Sequence, residues 1–317
     1  MKRRIYLIIS LVFLLVVITL VIAANYFYSQ SFKRGKEVAL YSGTEAIEVF
    51  GNQESQRIIK TAIKWFDKQE FEVIEQISHD GLTLKGKFLK NTQSTGKAVI
   101  LAHGYRGHGD QMGDLVKFYY DQGFDILMPD ARGHGASEGN YIGYGWHDRL
   151  DYLLWIDQLI INRQAENVFL HGNSMGASLV LMTSGEDLPV EVKGIIADSG
   201  YTSVKEELVY QLKHLYNLPP FPLMQITSFL TNIRAGYTFE EASAIEQVKK
   251  NTLPLFIIHG DKDELVPTQM AYKLYDAAIS EKEFWIVPDA GHTMAYEVAT
   301  VEFQERLKKF INKSIDN

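Results

Sequence analysis

The sequence contains no cysteine, and this absence excludes several classes of site. Disulfide frameworks, zinc sites with thiolate ligands, iron–sulfur clusters and a cysteine nucleophile all require that residue. A positive net charge is also lacking, because 39 acidic residues outweigh 32 basic ones and give a formal charge of -7. No overall positive field is available to attract DNA or RNA, so we expect no nucleic-acid partner.

Proline is scarce, with 8 residues, and the rest of the composition is that of a globular protein. Hydrophobic residues make up 46% of the chain and charged residues 22%, which argues against a disordered, collagen-like or multi-span membrane protein. The 317 residues suit either two average domains or one elaborated α/β domain.

A long uncharged apolar run lies near the N-terminus. Residues 5–24 read IYLIISLVFLLVVITLVIAA, and as a helix this run would be about 30 Å long, which matches a bilayer core. We interpret residues 1–32 as a membrane anchor or signal segment and favour an uncleaved anchor; the small residues Ala23 and Ala24 leave open signal cleavage and a secreted product. Basic residues at positions 2–4 favour a cytoplasmic N-terminus, with the rest of the chain outside the cell membrane.

Residues 33–69 are interpreted as a stem that ends in an amphipathic helix. Apolar residues recur at helical spacing from Ile58 to Phe66, between polar residues such as Lys60 and Lys64. This pattern predicts a helix over residues 54–68 that packs on the main domain.

From residue 70 onward, strand-like and helix-like segments alternate. Short apolar or alternating runs predict strands at residues 71–77, 82–89, 98–102, 124–128, 168–170, 194–197, 255–258 and 283–287. Helical patterns lie at about 111–121, 147–162, 174–184, 268–279 and 297–312. The first two strands have no helix between them and predict an antiparallel hairpin at one edge. We therefore predict an α/β fold with a mostly parallel sheet flanked by helices, spanning residues 70–317.

The alternation is interrupted between Ser199 and Pro254. Two helical patterns, at residues 204–215 and 223–233, occur there without a clear strand. We interpret residues 200–253 as a small helical cap inserted over the carboxyl ends of the strands, where ligands bind in sheets of this type. Such a cap would form one wall of a substrate pocket and exclude water.

Ser174 lies in the pentapeptide Gly-Asn-Ser-Met-Gly, residues 172–176, between a predicted strand and a predicted helix. Gly-x-Ser-x-Gly in this context is typical of a nucleophile elbow, in which a strained turn exposes the serine hydroxyl. Side chains at Gly172 and Gly176 would collide with the turn or the packed helix. The pattern therefore favours Ser174 as a nucleophile over an ordinary helix N-cap.

A serine hydroxyl needs a base, and the base needs an orienting carboxylate. His292 follows the last predicted strand, and Asp263 follows the strand before it. The order Ser, Asp, His is the one expected of α/β-hydrolases. Asp261 could instead brace the loop, and Asp198, at the end of an earlier strand, stays open as an alternative orienting group.

Taken together, these motifs resemble a serine hydrolase of the α/β-hydrolase superfamily, particularly its capped esterase and lysophospholipase-like branch. The resemblance covers roughly residues 70–313 and rests on the motifs LAHGY (101–105), DARGHGASEG (130–139), GNSMG (172–176), HGDKD (259–263) and GH (291–292). It implies a catalytic triad of Ser174, Asp263 and His292. It also implies an oxyanion hole made of the backbone N–H groups of Tyr105 and Met175.

Other polar residues are expected to serve the structure. Asp130 and Arg132 are expected to brace their glycine-rich loop, and His171 and His259, which end strands, to serve packing or loop hydrogen bonds. The carboxylates and histidines have no convincing metal-ligand spacing, and no phosphate-binding glycine motif follows a strand. We therefore expect neither a metal nor a cofactor.

The predicted activity is hydrolysis of carboxylic esters through an acyl-enzyme intermediate. Aromatic residues in the predicted cap suggest an apolar pocket, which suits a small ester or lipid-like substrate beside a membrane, such as a short-to-medium acyl ester or a lysolipid. Amide or peptide hydrolysis of the aminopeptidase type is the second hypothesis. A non-catalytic, membrane-tethered binding protein is the third.

Overall fold

Eight strands form one sheet in the computed structural model, which describes residues 2–37 and 52–316. The strands are β1 (Glu72–Ile77), β2 (Thr83–Leu89), β3 (Lys97–Ala102), β4 (Phe124–Pro129), β5 (Asn167–Asn173), β6 (Val192–Asp198), β7 (Leu255–Gly260) and β8 (Lys282–Val287). Their order across the sheet is β1-β2-β4-β3-β5-β6-β7-β8. The β1–β2 hairpin is antiparallel and lies at one edge, and β2 also pairs antiparallel with β4. All pairs among β3 to β8 are parallel. The predicted α/β fold and its edge hairpin are confirmed.

Helices cover both faces of the sheet. They are α1 (Lys2–Ser31), α2 (Gln53–Phe66), α3 (Gly113–Asp121), α4 (Asp148–Asp157), α5 (Met175–Thr183), α6 (Val204–Tyr216), α7 (Leu223–Ala235), α8 (Ala244–Val248), α9 (Thr268–Ala277), α10 (Ala295–Val298) and α11 (Thr300–Asp316). Buried side chains of α2, α3, α10 and α11 share one apolar core with one face of the sheet. Those of α4 to α9 and the end of α1 form the core on the opposite face.

Two helix predictions need correction. The pattern at residues 147–162 corresponds to α4 followed by a wider turn of π-helix, Gln158–Asn162. The helix predicted at residues 297–312 is two helices, because Ala299 leaves the helical conformation, with φ -132° and ψ 43°, between α10 and α11. A break of one residue barely disturbs the 3.6-residue helical period. The apolar pattern therefore continues across Ala299, and the sequence predicts one helix where there are two.

The predicted stem is described only in part, because residues 38–51 lie outside the described residues. Its amphipathic helix is α2, close to the predicted bounds. The side chain of Asn52 caps this helix by accepting a hydrogen bond from the backbone N–H of Ser55 (2.9 Å). Ile59 and Ala62 on its apolar face are buried against the main core, as predicted.

Three helices, α6, α7 and α8, occupy the region between β6 and β7 that the sequence predicts as a cap. The first two match the predicted helical patterns, and Ser203 caps α6 by accepting a hydrogen bond from the backbone N–H of Glu206 (3.1 Å). The five-residue α8 was not predicted, because one turn and a half is too short for a periodic pattern.

Helix α1 is long and apolar enough to cross a membrane, and most of its apolar run is exposed. Its C-terminal end, by contrast, is buried against the folded domain. Ala24, Tyr28 and the following Phe32 are buried against the main core, where α1 packs along α7. A β-bridge between Lys33 and Tyr141 continues this contact beyond the helix. The candidate membrane span therefore runs directly into the folded domain.

Candidate active site

A sharp turn between β5 and α5 carries Ser174. The residue has a positive φ of 55° with ψ -117°, a conformation that non-glycine residues rarely adopt. A Cβ atom at Gly172 would lie 2.1 Å from the carbonyl oxygen of Gly176, and one at Gly176 would lie 2.0 Å from the carbonyl oxygen of Ala102. The steric need for both glycines is thus confirmed, and the tight approach holds the strained serine in place.

Three of the predicted site residues meet through their side chains. The Nε2 atom of His292 lies 2.7 Å from the Oγ atom of Ser174, and its Nδ1 atom lies 2.8 Å from the Oδ2 atom of Asp263. All three residues are buried. With a neutral imidazole, the Nδ1–H group donates to the carboxylate, so that Nε2 is free to accept the serine proton. Side chains at these distances have the arrangement that a nucleophile, a base and an orienting acid require.

The carboxylate of Asp263 has further partners. Its Oδ1 atom accepts hydrogen bonds from the backbone N–H groups of Leu265 (3.0 Å) and Val266 (2.8 Å), and its Oδ2 atom lies 3.0 Å from Nε2 of His259. Burial alone would raise the pKa of Asp263, but the hydrogen bonds from His259 and His292 hold it well below its ordinary value. The carboxylate is therefore ionised at neutral pH.

The two alternative carboxylates lie elsewhere. Asp261 is exposed, and its side chain accepts a hydrogen bond from the backbone N–H of Asp289 (2.7 Å), so it braces the loop. Asp198 is buried at the end of β6, where its Oδ1 atom accepts a hydrogen bond from the hydroxyl of Ser199 (2.9 Å). Burial raises the pKa of Asp198 to about 6.

The two predicted oxyanion-hole residues flank Ser174. Met175 is the first residue of α5, and Tyr105 follows β3; both line one cavity with Ser174 and His292. The backbone before Tyr105 passes close to the elbow, since a Cβ atom at Gly104 would lie 3.5 Å from the Cβ atom of Ser174. The N-terminus of α5 also carries a partial positive charge that favours an anion there.

His103 fixes the loop that contains Tyr105. Its Nδ1–H group donates to the carbonyl of Gly104 (2.8 Å), and its Nε2 atom accepts from the backbone N–H of Ala131 (3.0 Å). Burial lowers the pKa of His103 to about 3, so the ring stays neutral and keeps both bonds. His103 therefore ties the loop after β3 to the loop after β4.

Arg132 is fully buried and braces the glycine-rich loop, as the sequence predicts. It makes bidentate ion pairs with Asp151 (2.8 Å) and Asp80 (2.9 Å). These two carboxylates and His79 have the spacing of metal ligands. The Arg132 guanidinium already binds both oxygens of each carboxylate, so these two carboxylates have a cationic partner within the protein.

The cavity in front of Ser174 has a volume of about 270 Å³ and is mostly apolar. It is lined by Ser31, Tyr105, Tyr144, Ser174, Met175, Tyr201, Glu207, Leu208, Gln211, Leu215, Leu265, Val266 and His292. A larger cavity of about 580 Å³ lies between α2, α3 and α11 and contains none of these residues. The smaller cavity is therefore the candidate substrate pocket.

Glu207 is the acidic residue of this pocket, and the sequence reasoning missed it. Its Oε1 atom accepts a hydrogen bond from Gln211 (3.0 Å), whereas its buried Oε2 atom has no hydrogen-bond partner among the described residues. Burial raises the pKa of Glu207 to about 8, which favours the neutral carboxyl group near pH 7. The sequence gives no signal of this burial, because a glutamate on a predicted surface helix is expected to be exposed.

Comparisons with known proteins agree with this architecture. The family described as "Serine aminopeptidase, S33" matches residues 93–227 and 222–299. The uncharacterized protein YqkD of Bacillus subtilis is 27% identical over 239 residues, which cover 75% of this chain and 78% of YqkD. The lysophosphatidylserine lipase ABHD12 of Macaca fascicularis is 29% identical over 237 residues, covering 68% of this chain but only 56% of that lipase.

Solved structures show the same fold. The esterase Pf2001 of Pyrococcus furiosus superimposes with a TM-score of 0.63 at 24% identity, over 79% of this chain and 94% of the esterase. The acylaminoacyl peptidase of Pyrococcus horikoshii superimposes with a TM-score of 0.57 at 18% identity, over 78% of this chain and 42% of the peptidase. Because the family matches most of the chain, including the elbow, this protein is a hydrolase that belongs to the serine aminopeptidase, S33, family of α/β-hydrolases, in the esterase and lysophospholipase-like branch that its motifs predict.

Proposed function

We propose that the protein is a membrane-anchored serine hydrolase that cleaves carboxylic esters through an acyl-enzyme intermediate. The observation that carries this proposal is the 2.7 Å contact between Nε2 of His292 and Oγ of Ser174, with Asp263 on the other ring nitrogen. In this proposal Ser174 is the nucleophile, His292 the general base and Asp263 the orienting acid.

The reaction follows from the positions of these groups. As Oγ of Ser174 attacks the ester carbonyl carbon, Nε2 of His292 accepts its proton, and the Asp263 carboxylate stabilises the imidazolium that forms. The backbone N–H groups of Tyr105 and Met175 donate hydrogen bonds to the developing oxyanion. His292 then gives the proton to the departing alcohol oxygen. A water molecule, activated by the same base, attacks the acyl-enzyme and releases the acid.

The pocket supports an ester over a peptide substrate. Hydrolysis at a free peptide N-terminus requires recognition of an ammonium group, for which an ionised carboxylate is the natural partner. The acid that lines the pocket, Glu207, is held neutral by burial, and the remaining wall is mostly apolar. The relative named lysophosphatidylserine lipase agrees with an ester of lipid-like character. Aminopeptidase activity is the second candidate, because Glu207 would bind an amine if it were ionised.

For the organisation of the chain, we propose an N-terminal anchor over residues 1–32, a stem over residues 33–69 and a catalytic domain over residues 70–317 with its cap at about residues 200–253. Basic residues ahead of the apolar run support a cytoplasmic N-terminus. The catalytic domain would then lie outside the cell membrane. Protease treatment of intact cells should digest this domain in that orientation, whereas complete protection would contradict it.

Labelling with a fluorophosphonate probe tests the nucleophile. The full chain should be labelled, the variant Ser174→Ala should not, and the control Ser94→Ala, which changes an exposed loop serine, should label like the wild type. A folded wild-type protein that stays unlabelled would favour a non-catalytic binding protein. Hydrolysis of p-nitrophenyl acyl esters should then exceed that of aminoacyl anilides; preference for anilides would favour the aminopeptidase.

A further inference from the structure

The end of helix α1 is part of the wall of the candidate substrate pocket. Ser31 lines the same cavity as Ser174 and His292. Its carbonyl oxygen accepts hydrogen bonds from the hydroxyl groups of Tyr105 (3.0 Å) and Tyr144 (3.1 Å), two residues that also line the cavity. The membrane helix and the pocket are thus joined through shared side chains and hydrogen bonds.

A second cavity adjoins the first along the same helix. It has a volume of about 240 Å³, and its lining includes residues from α1, α6 and α7. Four residues line both cavities: Ser31, Leu208, Gln211 and Leu215. The second cavity continues along α1 to Phe27, and its remaining side chains are mostly apolar. The two cavities therefore form adjacent compartments, of which one holds the reactive serine and the other follows α1 toward its membrane-spanning part.

The second cavity lies at the depth of the bilayer surface. The apolar run of α1 ends at Ala24, and Phe27 and Ser31 follow three and seven residues later. At a rise of about 1.5 Å per residue, these positions lie about 5 and 10 Å beyond the end of the run. The polar headgroup layer on each side of a bilayer is about 5–8 Å thick, so the Phe27 end of the second cavity is level with the lipid headgroups, and its Ser31 end lies just beyond them, when the run spans the core.

An uncharged apolar surface surrounds this level. Residues 215–233, from the end of α6 to near the end of α7, contain no Asp, Glu, Lys, Arg or His. Beyond α1, thirteen large hydrophobic residues are exposed among the described residues, and six of them lie in this short segment. They are Leu215, Tyr216, Leu218, Phe221, Phe229 and Ile233. A concentration of exposed apolar side chains of this kind is typical of a membrane or protein contact surface.

Contacts with α1 place this surface beside the candidate membrane span, so the bilayer is its expected occupant. The ring of Tyr216 packs edge-on against Phe27, with 5.0 Å between ring centroids. Arg234, which follows the segment, donates a hydrogen bond to the side chain of Asn25 (2.8 Å), the first residue after the apolar run. Both ends of the uncharged segment are therefore held at the point where α1 leaves the bilayer.

We propose that residues 215–233 rest in the surface of the bilayer and that the acyl chain of a single-chain lipid ester passes from the bilayer through the second cavity to Ser174. This inference rests on the proposed esterase function and adds the source and class of its substrate. Such a lipid would reach the serine without crossing water, so its acyl chain would stay in contact with apolar surface throughout.

The full chain in phosphatidylcholine vesicles allows a direct test. One substrate is monooleoylglycerol dissolved in the vesicles, and the other is water-soluble p-nitrophenyl acetate. The variant Phe221→Asp/Phe229→Asp/Ile233→Asp places charges on three side chains that are 63–72% exposed and line neither cavity. The control Ile161→Asp/Val190→Asp/Ile279→Asp places charges on three side chains outside the segment that are 73–82% exposed.

We expect the segment variant to cleave monooleoylglycerol about tenfold more slowly than the control variant, a change equivalent to about 1.4 kcal/mol of lost membrane contact. Its rate on p-nitrophenyl acetate should equal that of the control. Equal rates of the two variants on the vesicle substrate would overturn the inference, and so would equal losses on both substrates. A wild-type protein that cleaves neither substrate would instead overturn the proposed function.

A second variant tests passage through the second cavity. Met224 lines that cavity and not the one at Ser174. Met224→Trp would fill the space, whereas Met224→Leu conserves the volume and serves as the control. The ratio of the rates on long-chain and short-chain p-nitrophenyl esters should fall about tenfold in the tryptophan variant relative to the leucine variant. An equal ratio in the two variants would rule out this route.

Discussion

The buried acid of the pocket should make the stability of the protein depend on pH. Folding raises the pKa of Glu207 from 4.5 to about 8, because the carboxyl group loses its contact with water. The native state therefore prefers the neutral form, while the unfolded chain ionises freely above about pH 4.5. The stabilisation is fully present below the unfolded pKa and is lost as the pH rises toward 8. Glu207→Gln, which is neutral at every pH and keeps an oxygen for Gln211, should abolish this dependence.

The size of the effect follows from the shift in pKa. Each unit corresponds to about 1.4 kcal/mol, so between about pH 5 and about pH 8.5 the wild type should lose about 4 kcal/mol relative to Glu207→Gln. For a domain of this size, such a difference corresponds to about 8 °C in the melting temperature. The two proteins should melt at similar temperatures near pH 5 and diverge as the pH rises, with the glutamine variant the more stable.

Thermal melts of the full chain in detergent micelles over this pH range would measure the difference. The neighbouring residue gives a control of opposite sign. Burial alone would raise the pKa of Glu206, but hydrogen bonds from Lys273 and Thr202 lower it, so its charge stabilises the native state above pH 4.5. Glu206→Gln should therefore be slightly less stable than the wild type at high pH. A stability difference between wild type and Glu207→Gln that stays constant with pH would refute the argument.

Three further substitutions test the framework around Ser174. Asp263→Asn should lower kcat for ester hydrolysis by about 10⁴ without unfolding the protein, because the imidazole loses its orienting carboxylate; wild-type kcat would contradict the role. Gly176→Ala should abolish labelling by fluorophosphonate, because the new Cβ would lie 2.0 Å from the carbonyl oxygen of Ala102; a normally labelled variant would exclude this clash. Arg132→Leu should lower the free energy of unfolding by about 3–5 kcal/mol, because Asp151 is left buried without its partner, and a denaturant titration would detect the change.

Matched controls separate these effects from general damage. Asp261→Asn changes a carboxylate two residues from Asp263 that braces the loop, and it should keep most of the activity. Arg306→Leu removes an arginine whose partner Glu302 is exposed, so the free energy of unfolding should change by less than about 1 kcal/mol. If either control is as damaging as its test variant, the corresponding prediction fails.

The sequence predicts those parts of the molecule that follow from local pattern. Each strand is a short apolar or alternating run, and the hairpin at the edge follows from the missing helix between the first two strands. The glycines of the elbow are predicted because a close backbone approach admits no other residue. Gly172 lies next to the last residue of β5 and Gly176 is the second residue of α5, so the two glycines flank the turn as the pattern predicts.

Features that depend on distant contacts could not be predicted in this way. Glu207 lies on a helix with ordinary polar patterning, and its burial arises only because α6 lies over the strand ends. His259 contacts Asp263 across the turn that follows β7. From the sequence, His259 is expected only to serve packing or loop hydrogen bonds. The sequence predicts a membrane span at residues 5–24 but gives no separate signal for the packing of Tyr28 and Phe32, which follow it. Membrane-facing and core-facing positions use the same residue types.

The position of Ser31 decides which soluble forms of the protein keep an intact pocket. Cleavage after Ala24 would release a chain that retains Asn25 to Phe32, with the carbonyl that Tyr105 and Tyr144 hold. A fragment that starts at Lys33 would lose that segment and uncover the aromatic rings of Tyr144 and Phe239, against which Phe32 packs. Release of the domain by cleavage after Ala24 would thus leave the pocket intact, whereas cleavage eight residues later would damage it.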